Sequence, residues 1–575
     1  MTTVAHADAA ARLEGFDDFV RATMESWKVP GLAIGIVQDG EVIFLEGFGR
    51  RDVDRKLPVT PRTLFALASG TKAFTTMALG LLVDEGRLDW DTPVCHYLPA
   101  FRLHDSFVTE RITPRDLVTH RSGLPRHDLV WYNSSSSRGE LVWRLQYLEP
   151  NKDFRAVWQY QNLMYMMAGY LIEHLTGLTW EAFVQQRIFQ PLGLHGSNFA
   201  VEVSQATDDH ALPYKEKDDT LTQVPFYRQF AVGPAGSINT NVADMTKWLL
   251  LHLGRGVYAQ SRLISHAQIR DMHTPQMVIQ QPAKYAELPH ASYGLGWFIE
   301  PYRGYDLVHH AGGIDGFSTM TTLMPRDNLG VVVLCNLNGT PAPWIVCLHA
   351  YDRLLGLDPI PWTERFKTEE AEWKGAEAKG KEKSAEDRVP ETQPSHPFES
   401  YVGEYEHPGY GVLAFNLVDG ALQAQLNDNT FPVQHYHYDT FELTMEQWDV
   451  RFKTTFTTNA RGDIDAVAAP LEQSVRDIVF KRVPDRAMRE RNFLVQFIGD
   501  YELLGVPMSI MLKGEGTLLA RLPGQPDVEL APRRGMEFLV KDLSGYSIEF
   551  VKDESGMVIK AIVTQPSGVF TAKKQ

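Results

Sequence analysis

Cysteine is scarce in this sequence, with three among 575 residues: Cys95, Cys335 and Cys347. Thiols so few and so far apart do not make a disulfide framework or a zinc site of the usual spacing. We therefore expect free, buried thiols in a reducing compartment, and neither a metal nor an organic cofactor at the functional site.

Long apolar runs are also missing. No stretch of about 18 consecutive apolar residues occurs, so the sequence predicts no membrane-spanning helix. The N-terminal stretch MTTVAHADAAARLEGFDDF has neither the basic start nor the apolar core of a signal peptide. These absences predict a cytoplasmic protein without a membrane partner.

Positive charge is in the minority. Lys and Arg number 56 against 72 Asp and Glu, and the net charge is −16. A charge of this sign disfavours binding to nucleic acid or to an anionic membrane surface. It does not identify a substrate.

The length predicts more than one domain, because a single hydrophobic core rarely extends beyond about 250–300 residues. Strand patterns lie on both sides of a long helix-rich stretch, at residues 31–38, 41–48, 305–310, 317–324 and 330–336. The first two flank Asp39-Gly40, a strong hairpin signal. This order predicts an α+β fold in residues 1–362, with one antiparallel sheet of five strands, flanking helices and an all-helical region.

Residues 363–397 are charged and end in prolines, which fits either a solvated helix or a linker. We interpret them as a charged linker that is partly helical. Beyond them, the segment that begins at Phe398 is repeated from Phe493, at a spacing of about 95 residues. Short strands and glycine turns predict two barrel-like β modules, at residues 398–485 and 486–575. One barrel built from two half-repeats is the alternative.

The stretch Leu64–Glu85 is the most informative for chemistry. Ser69 precedes Lys72 by three residues, and the apolar spacing that follows predicts a helix with one buried face, ended by Gly86. The two side chains would lie one turn apart on the same side. A neutral lysine amine can take the proton of the serine hydroxyl, provided that burial or nearby positive charge lowers the lysine pKa. Alone, the pattern also fits a surface pair.

A second pattern, Tyr160-Gln-Asn162, precedes an apolar helix. It places a phenol and a carboxamide on the same side of an extended segment. The phenol can relay a proton to a leaving group, and the amide can hold both the lysine and a substrate carbonyl. Alone, the pattern equally fits a buried tyrosine and a helix-capping asparagine.

A third pattern, His310-Ala-Gly312-Gly313, follows a strand signal. Glycines at such a place let a substrate backbone approach closely. The N–H of Gly313 can pair with that of Ser69 as an oxyanion hole. Alone, the pattern also fits an exposed turn.

Together and in this order, the three patterns resemble the motifs of the serine β-lactamase and penicillin-binding-protein superfamily, and above all its class C-like branch of esterases and D-aminopeptidases. Segments 116–124 and 293–297 resemble further markers, so that the resemblance covers roughly residues 10–358. It implies that Ser69 is the acylated nucleophile, Lys72 the general base and Tyr160 the proton relay.

The resemblance also implies that Asn162 and His310 orient the substrate, with Gly312 beside them and with Ser69 and Gly313 as oxyanion donors. In β-lactamases the third motif usually begins with a lysine that helps to hold the substrate carboxylate. Histidine is mostly neutral at pH 7, which counts against β-lactams and carboxylate-terminated stems and favours the esterase and D-aminopeptidase branch.

The tail has a weaker family likeness. A catalytic domain followed by lipocalin-like barrels resembles self-compartmentalising peptidases that cleave peptides with D-residues, and these assemble as homo-oligomers. We therefore predict a serine hydrolase acting on a small-molecule or short-peptide substrate, most of all a peptidase or amidase. The alternatives are a carboxylesterase or β-lactamase-like hydrolase of small acyl compounds, and a non-catalytic binding protein whose barrels hold the ligand.

Overall fold

The computed structural model describes residues 9–228 and 231–575, except for the side chains of residues 381–386. The chain forms two compact units. The first extends to Arg388 and includes Glu472–Arg476, while the second consists of Val389–Leu471 and Asp477–Gln575.

The first unit mixes helices and strands. Its described helices are α1 (Phe16–Ser26), α2 (Thr71–Asp84), α3 (Val94–Tyr97), α4 (Ser106–Arg111), α5 (Pro114–Val118), α6 (Arg138–Arg144), α7 (Asn162–Thr176), α8 (Trp180–Val184), α9 (Gln190–Leu192), α10 (Val201–Gln205), α11 (Gly233–Gly236), α12 (Val242–Leu253), α13 (His266–Met272), α14 (Ala342–Leu354) and α15 (Trp362–Glu386). Its described strands are β1 (Gly31–Gln38), β2 (Glu41–Asp52), β3 (Leu57–Pro58), β4 (Phe65–Ala66), β5 (Tyr214–Lys217), β6 (Thr220–Gln223), β7 (Asn239–Thr240), β8 (Val257–Tyr258), β9 (Ser261–Arg262), β10 (Met277–Ile279), β11 (Ala291–Tyr293), β12 (Phe298–Tyr302), β13 (Tyr305–Ile314), β14 (Phe317–Met324) and β15 (Leu329–Cys335).

Within the described residues, nine strands form one sheet in the order β10-β11-β12-β13-β14-β15-β1-β2-β3. All neighbouring strands pair antiparallel, so the predicted α+β fold is confirmed. The predicted number of five strands is wrong, because β3, β10, β11 and β12 extend the sheet. These strands are only two to five residues long. Runs so short have no measurable period in the sequence.

The hairpin between β1 and β2 forms as predicted. Gln38 lies opposite Glu41, and Asp39 and Gly40 make the two-residue turn. Their φ angles of 50° and 85° are both left-handed, as a type I′ turn requires.

Helices cover both faces of the sheet. On one face, α1 and α14 share an apolar core with β1 that includes Phe16, Ile34 and Ile345. On the other face α12 packs close to β1, because Gly35 has no side chain there. A Cβ at Gly35 would lie 2.7 Å from the methyl group of Thr246.

Helix α2 is buried on all sides from Thr71 to Leu82, although its sequence predicted one buried face. Helices α7, α11 and α12 surround it, and Phe74 stacks on Trp248 of α12 with ring centres 3.7 Å apart. The helix ends before Gly86, whose φ of 69° fits the predicted C-terminal cap. Full enclosure matters for Lys72, because a charged amine is costly to bury.

The segment interpreted as a partly helical linker is mostly a single helix, α15, of 25 residues. Its first turn is fixed to the first unit, since Trp362 is buried and Arg365 forms an ion pair with Glu287. No helix in the described part of the chain is both long enough and apolar enough to cross a membrane.

The second unit contains two closed barrels, each of eight antiparallel strands that the structure describes. The strands of the first barrel are β16 (Gly403–His407), β17 (Gly411–Val418), β18 (Ala421–Leu426), β19 (Asn429–His437), β20 (Thr440–Met445), β21 (Val450–Thr458), β22 (Ile464–Ala469) and β23 (Ile478–Val483). Those of the second are β24 (Gly499–Leu503), β25 (Val506–Lys513), β26 (Thr517–Arg521), β27 (Val528–Arg534), β28 (Glu537–Val540), β29 (Ser547–Lys552), β30 (Val558–Gln565) and β31 (Gly568–Lys574). A four-residue helix, α16 (Arg491–Leu494), precedes β24. The prediction of two barrels is confirmed, and the single barrel from two half-repeats is wrong.

The repeated segments play the same structural part in each barrel. Tyr405 donates its hydroxyl hydrogen to the Tyr401 carbonyl at 3.0 Å, and Tyr501 donates to the Phe497 carbonyl at 2.9 Å. Both tyrosines are buried. In the first barrel, Tyr405 packs edge-on against Phe456 at 5.6 Å, so aromatic side chains occupy the barrel interior.

Candidate active site

Ser69 lies in a 3-10 turn, Ala68–Gly70, that leads directly into α2. Ala68 has a φ of 49°, a left-handed conformation that costs a non-glycine residue on the order of 1–3 kcal/mol. Lys72 follows one helical turn later, with its Nζ 3.0 Å from Ser69 Oγ. The structure therefore brings the serine and the lysine into hydrogen-bond contact.

The amine of Lys72 has two further oxygen neighbours. The Oδ1 atom of Asn162 lies 2.8 Å from Nζ, and the backbone carbonyl of Ala235 lies 2.9 Å away. Neither oxygen atom can donate a hydrogen bond. In the neutral amine, which has two N–H groups, each oxygen therefore accepts one of them. That state leaves the lone pair of Nζ free to accept the hydroxyl hydrogen of Ser69, whose Oγ lies 3.0 Å away. This arrangement suits a general base.

Burial holds the pKa of Lys72 well below its ordinary value, and the positive charge of Arg126 lowers it further. The carboxylate of Asp128 acts in the opposite direction. The Lys72 side chain is completely buried. The site thus favours the neutral amine that proton abstraction requires.

Tyr160 lies beside this pair, with Lys72 Nζ 4.7 Å from the centre of its ring. Burial raises the pKa of Tyr160, while a hydrogen bond with Ser69 and the charge of Arg126 lower it. The phenol is therefore protonated at neutral pH, in contact with the serine and able to pass on a proton.

Asn162 is the first residue of α7, and Gln161 before it caps the helix by accepting the N–H of Leu163 at 2.7 Å. The Nδ2 atom of Asn162 lies 3.4 Å from Oδ1 of Asp128. A carboxylate only accepts hydrogen bonds, so this contact fixes the amide with its oxygen towards Lys72.

His310 is buried on β13 and is bound at both ring nitrogens. Its Nδ1 lies 2.7 Å from the Ala311 carbonyl, so Nδ1 carries the hydrogen; Nε2 accepts from the hydroxyl of Tyr293 at 3.0 Å. Burial and the nearby Lys72 lower the pKa of His310 to about 3. The ring is neutral and firmly placed.

The two glycines of the third motif differ in their surroundings. A Cβ at Gly312 would lie 2.2 Å from the Leu67 carbonyl and 2.3 Å from Oγ1 of Thr319. A Cβ at Gly313 would have no neighbour within 4 Å. Gly312 therefore lets β13 approach the backbone two residues before Ser69, whereas the space beside Gly313 is open.

The strand register fixes the direction of the Gly313 N–H. Ile314 and Phe317 close a two-residue hairpin, so the next pair, Gly313 and Ser318, does not exchange hydrogen bonds. The N–H of Gly313 consequently points away from β14. Strand β12 pairs only with residues 305–309 of β13, and leaves this edge uncovered.

The sequence analysis missed three contributors to the site. The Ala235 carbonyl binds Lys72, but a backbone group has no sequence signal. His120 is buried, with its ring 4.4 Å from that of Tyr160, and its Nδ1 accepts the N–H of Gln161 at 3.0 Å. Arg126, whose charge lowers the pKa of Lys72, lies outside the marker segment 116–124, two residues after its end.

A metal site is not evident. Among residues that the structure describes, no group of three or more His, Cys, Asp or Glu side chains is placed to hold a metal ion. The Ser69 cluster supplies a hydroxyl, a neutral amine and a phenol, which together suit acyl transfer.

Comparison with known proteins agrees with this geometry. Residues 16–354 match the beta-lactamase family, and residues 387–482 match a domain of unknown function, DUF3471. The chain belongs to the beta-lactamase family. The superfamily predicted from the three motifs, a family of serine hydrolases, is thereby confirmed.

Relatives of known name include hydrolases. The chain is 30% identical over 442 residues to an unguisins hydrolase of Aspergillus campestris, across 73% of this chain and 81% of that protein. It is 27% identical over 339 residues to the protein flp of Staphylococcus aureus, across 57% of this chain and 64% of that protein. The octameric penicillin-binding protein homologue from Pyrococcus abyssi has a similar fold, with a TM-score of 0.54 at 24% identity, over 82% of this chain and all of the other.

The two glycines offer a matched test of the site. We expect Gly312→Ala to slow the phosphonylation of Ser69 by a fluorophosphonate probe about a hundredfold, because the new methyl group must push β13 away from Leu67. Gly313→Ala keeps its N–H and meets open space, and it should react within a few-fold of the native rate. Rates of adduct formation by intact mass, with circular dichroism as the folding check, measure this. Equal rates in the two variants would contradict the packing role of Gly312.

Proposed function

We propose that this protein forms an acyl-enzyme on Ser69 and hydrolyses small peptides or peptide-like amides. The observation that carries the proposal is the buried amine of Lys72, whose Nζ lies within hydrogen-bond distance of Ser69 Oγ, Asn162 Oδ1 and the Ala235 carbonyl. A serine hydroxyl is a weak nucleophile without such a base.

In the proposed first step, Lys72 takes the hydroxyl proton of Ser69 while Oγ attacks the substrate carbonyl carbon. The N–H groups of Ser69 and Gly313 hold the negative oxygen of the tetrahedral intermediate. Tyr160 then gives its proton to the leaving group and regains one from the protonated Lys72, so that the amine is neutral again. The acyl group stays on Ser69.

In the second step, Tyr160 and Lys72 take a proton from a water molecule as it attacks the ester, and they return a proton to Oγ as Ser69 is released. Asn162 keeps Lys72 in place and offers its amide to the substrate. The hydrogen bond between His310 and Tyr293 fixes β13 in place. Gly312 and Gly313, on the same strand, therefore stay beside the nucleophile.

The substrate we favour is a short peptide amide. Peptides with a D-residue next to the scissile bond are included in this class. The unguisins hydrolase among the relatives supports a hydrolytic role. Carboxylesterase or β-lactamase-like activity on small acyl compounds is the alternative, since the same acyl-enzyme serves esters, amides and lactams.

A non-catalytic binding protein is the alternative of another class. Its ligand would have to occupy a barrel, but buried aromatic side chains such as Tyr405 and Phe456 already lie inside the first one. The contacts among Ser69, Lys72 and Tyr160 also count against a binding protein, because ligand binding does not require these three side chains together.

The nucleophile can be tested by intact-protein mass after incubation with a fluorophosphonate. We expect one adduct on the native chain, none on Ser69→Ala, and one on the control Ser106→Ala, which removes an exposed serine at the start of α4. D- and L-peptide amides, esters and β-lactams are then compared by kcat/KM.

Amides should give the highest kcat/KM. A preference for esters or lactams would favour the alternative hydrolase. An unreactive native protein that is folded by circular dichroism would reject the acyl-enzyme and favour the binding protein.

The role of Lys72 predicts a shift in pH dependence. In Asn162→Asp, a carboxylate about 3 Å from Nζ stabilises the charged amine and should raise the pKa of Lys72 by about 1–3 units. Because the neutral amine is the active form, the acidic limb of the acylation rate should move to higher pH by the same amount. The control Asn416→Asp adds the same charge at an exposed position of the first barrel. An unmoved limb would exclude Lys72 as the base.

We also propose a cytoplasmic homo-oligomer. The scarcity of cysteine supports a reducing compartment, and the octameric state of the structural neighbour from Pyrococcus abyssi supports assembly. Light scattering of the full chain should give a multiple of 65.0 kDa that is greater than one. A mass equal to one chain at all concentrations would reject the assembly.

A further inference from the structure

A short connection between two strands of the first barrel belongs to the first unit. This anchor segment, Glu472–Arg476, lies between β22 and β23, inside the residues 387–482 that match the domain of unknown function. By its contacts it groups with the first unit and not with the barrel whose strands it connects. A connection that packs in this way indicates a role in the unit that it joins.

Glu472 is the main anchor of this segment. Its Oε2 accepts the backbone N–H of His127 at 3.0 Å. Its Oε1 accepts the hydroxyl of Ser474 at 2.6 Å and the backbone N–H of Ser474 at 3.1 Å. Although partial burial opposes ionisation, the hydrogen bonds from Ser474 and His127 lower the pKa of Glu472. The carboxylate is therefore charged at neutral pH and held at both oxygens.

Arg476 is a second and weaker anchor. Its Nη2 donates to both carboxylate oxygens of Glu149, at 3.0 and 3.2 Å. The backbone carbonyl of Glu149 in turn lies 3.1 Å from Nε2 of His127. Because the Arg476 side chain is 86% exposed, this ion pair contributes little by itself. Both anchors thus meet the first unit at His127, and Glu472 makes the stronger contact.

The contact with Glu472 supports a strained residue. His127 has a φ of 46° and a ψ of 40°, a left-handed conformation that is strained for a residue with a side chain. A hydrogen bond from its N–H to a carboxylate is charge-assisted, and its strength is of the same order as this strain. Glu472 therefore helps to enforce the orientation of the peptide group between Arg126 and His127.

That peptide group determines where the Arg126 side chain lies. On the other side of Arg126, the Pro125 carbonyl accepts a hydrogen bond from Nε2 of Gln161 at 2.5 Å. The guanidinium carbon of Arg126 lies 5.3 Å from the centre of the Tyr160 ring, and Lys72 Nζ lies 4.7 Å from the same centre. Burial has the largest effect on the pKa of Lys72, and the charge of Arg126 lowers it further. Displacement of Arg126 would therefore change the basicity of Lys72.

Asp128, the nearby anion, is held independently of the anchor segment. Its Oδ1 accepts the indole N–H of Trp131 at 3.0 Å and lies 3.4 Å from Nδ2 of Asn162. The charge of Asp128 raises the pKa of Lys72, opposite to the effect of Arg126. Loss of the anchor should therefore move the cation and leave the anion in place, so that the two effects do not cancel.

We propose that Glu472 is a positioning residue for the active site: by binding the backbone at His127, it keeps the guanidinium of Arg126 over Tyr160 and beside Lys72. The inference rests on the proposed acyl-enzyme mechanism, in which Lys72 is the base. It gives the domain of unknown function a part in that mechanism, because the anchor segment lies within its matched residues.

The direction of the expected change follows from the groups around the base. Those that face Lys72 are Arg126, Asp128, Tyr160, Tyr165, His120 and His310. Burial keeps the two tyrosines and the two histidines neutral, so the charged neighbours in this set are the arginine and the aspartate. Arg126 itself faces Asp128, Tyr160 and Glu472. Displacement of Arg126 raises the pKa of Lys72, whereas the loss of a negative charge at position 472 alone would lower it.

Two substitutions of Glu472 separate these effects. The readout is the rate at which a fluorophosphonate phosphonylates Ser69, measured by intact mass as a function of pH. We expect the acidic limb of Glu472→Ala to move to higher pH by about 1 unit, because Arg126 is no longer held. Glu472→Gln keeps an oxygen that accepts the His127 N–H, and its limb should not move to higher pH.

The matched control is Glu442→Ala. It removes a part-buried carboxylate of the first barrel that pairs with Arg451 inside the second unit, and it should leave the limb unchanged. Arg126→Gln should move the limb to higher pH as Glu472→Ala does. The double variant should move it no further than Arg126→Gln alone, since both changes act through one guanidinium. A role of Glu472 in stability alone would lower Tm without moving the limb.

If Glu472→Ala is unfolded by circular dichroism, Ser474→Ala replaces it. This change at an exposed position removes the hydroxyl that holds Oε1 of Glu472, and it should move the limb in the same direction by a smaller amount. An unmoved limb in that variant would then overturn the proposal.

Three results with folded Glu472→Ala would also overturn it. They are a limb at the native position, a limb at lower pH, and a shift that adds to that of Arg126→Gln in the double variant. In each case the native protein still reacts at Ser69, and the acyl-enzyme mechanism stands. If the native protein forms no adduct at Ser69, the mechanism itself fails and the positioning role fails with it.

Discussion

The burial of one amine determines how this site is built. Lys72 is completely enclosed, yet its Nζ contacts oxygen atoms of Ser69, Asn162 and Ala235. These atoms come from the start of α2, the start of α7 and the end of α11. Burying an amine without partners would cost several kcal/mol, on the order of 2–7. The contacts of the three elements with this one nitrogen offset that cost, and the burial that they enclose lowers the pKa of the amine.

Charge at the site has to satisfy two opposed demands. The base requires Lys72 to be neutral, and a second cation close to it helps by lowering its pKa. That cation must not compete for the same buried space, where desolvation lowers the pKa of amines. The chain has a neutral histidine at position 310 and a half-exposed arginine at position 126, so the permanent charge lies where water still solvates it.

The sequence predicted those parts of the structure that depend on spacing over short distances. The Asp39-Gly40 hairpin, the position of Lys72 one turn after Ser69, and the tyrosine-bearing repeat of the two barrels all follow from local periodicity or turn chemistry. The short strands of the sheet could not be predicted, because two to five residues carry no period. The Ala235 carbonyl could not be predicted either: it is 163 residues from Lys72 in the chain, and every residue has a carbonyl.

Backbone strain accompanies both ends of the cleft. Ala68 and His127 have φ angles of 49° and 46°, and neither has the freedom of glycine. Each such residue costs on the order of 1–3 kcal/mol unless its surroundings enforce the conformation. Those surroundings are present: Ala68 is buried against the backbone that Gly312 allows to approach, and both neighbouring peptide groups of Arg126 are hydrogen-bonded. The strained residues adjoin Ser69 and Arg126. Relief of that strain would therefore move the serine that contacts Lys72 and the cation that lowers the pKa of Lys72.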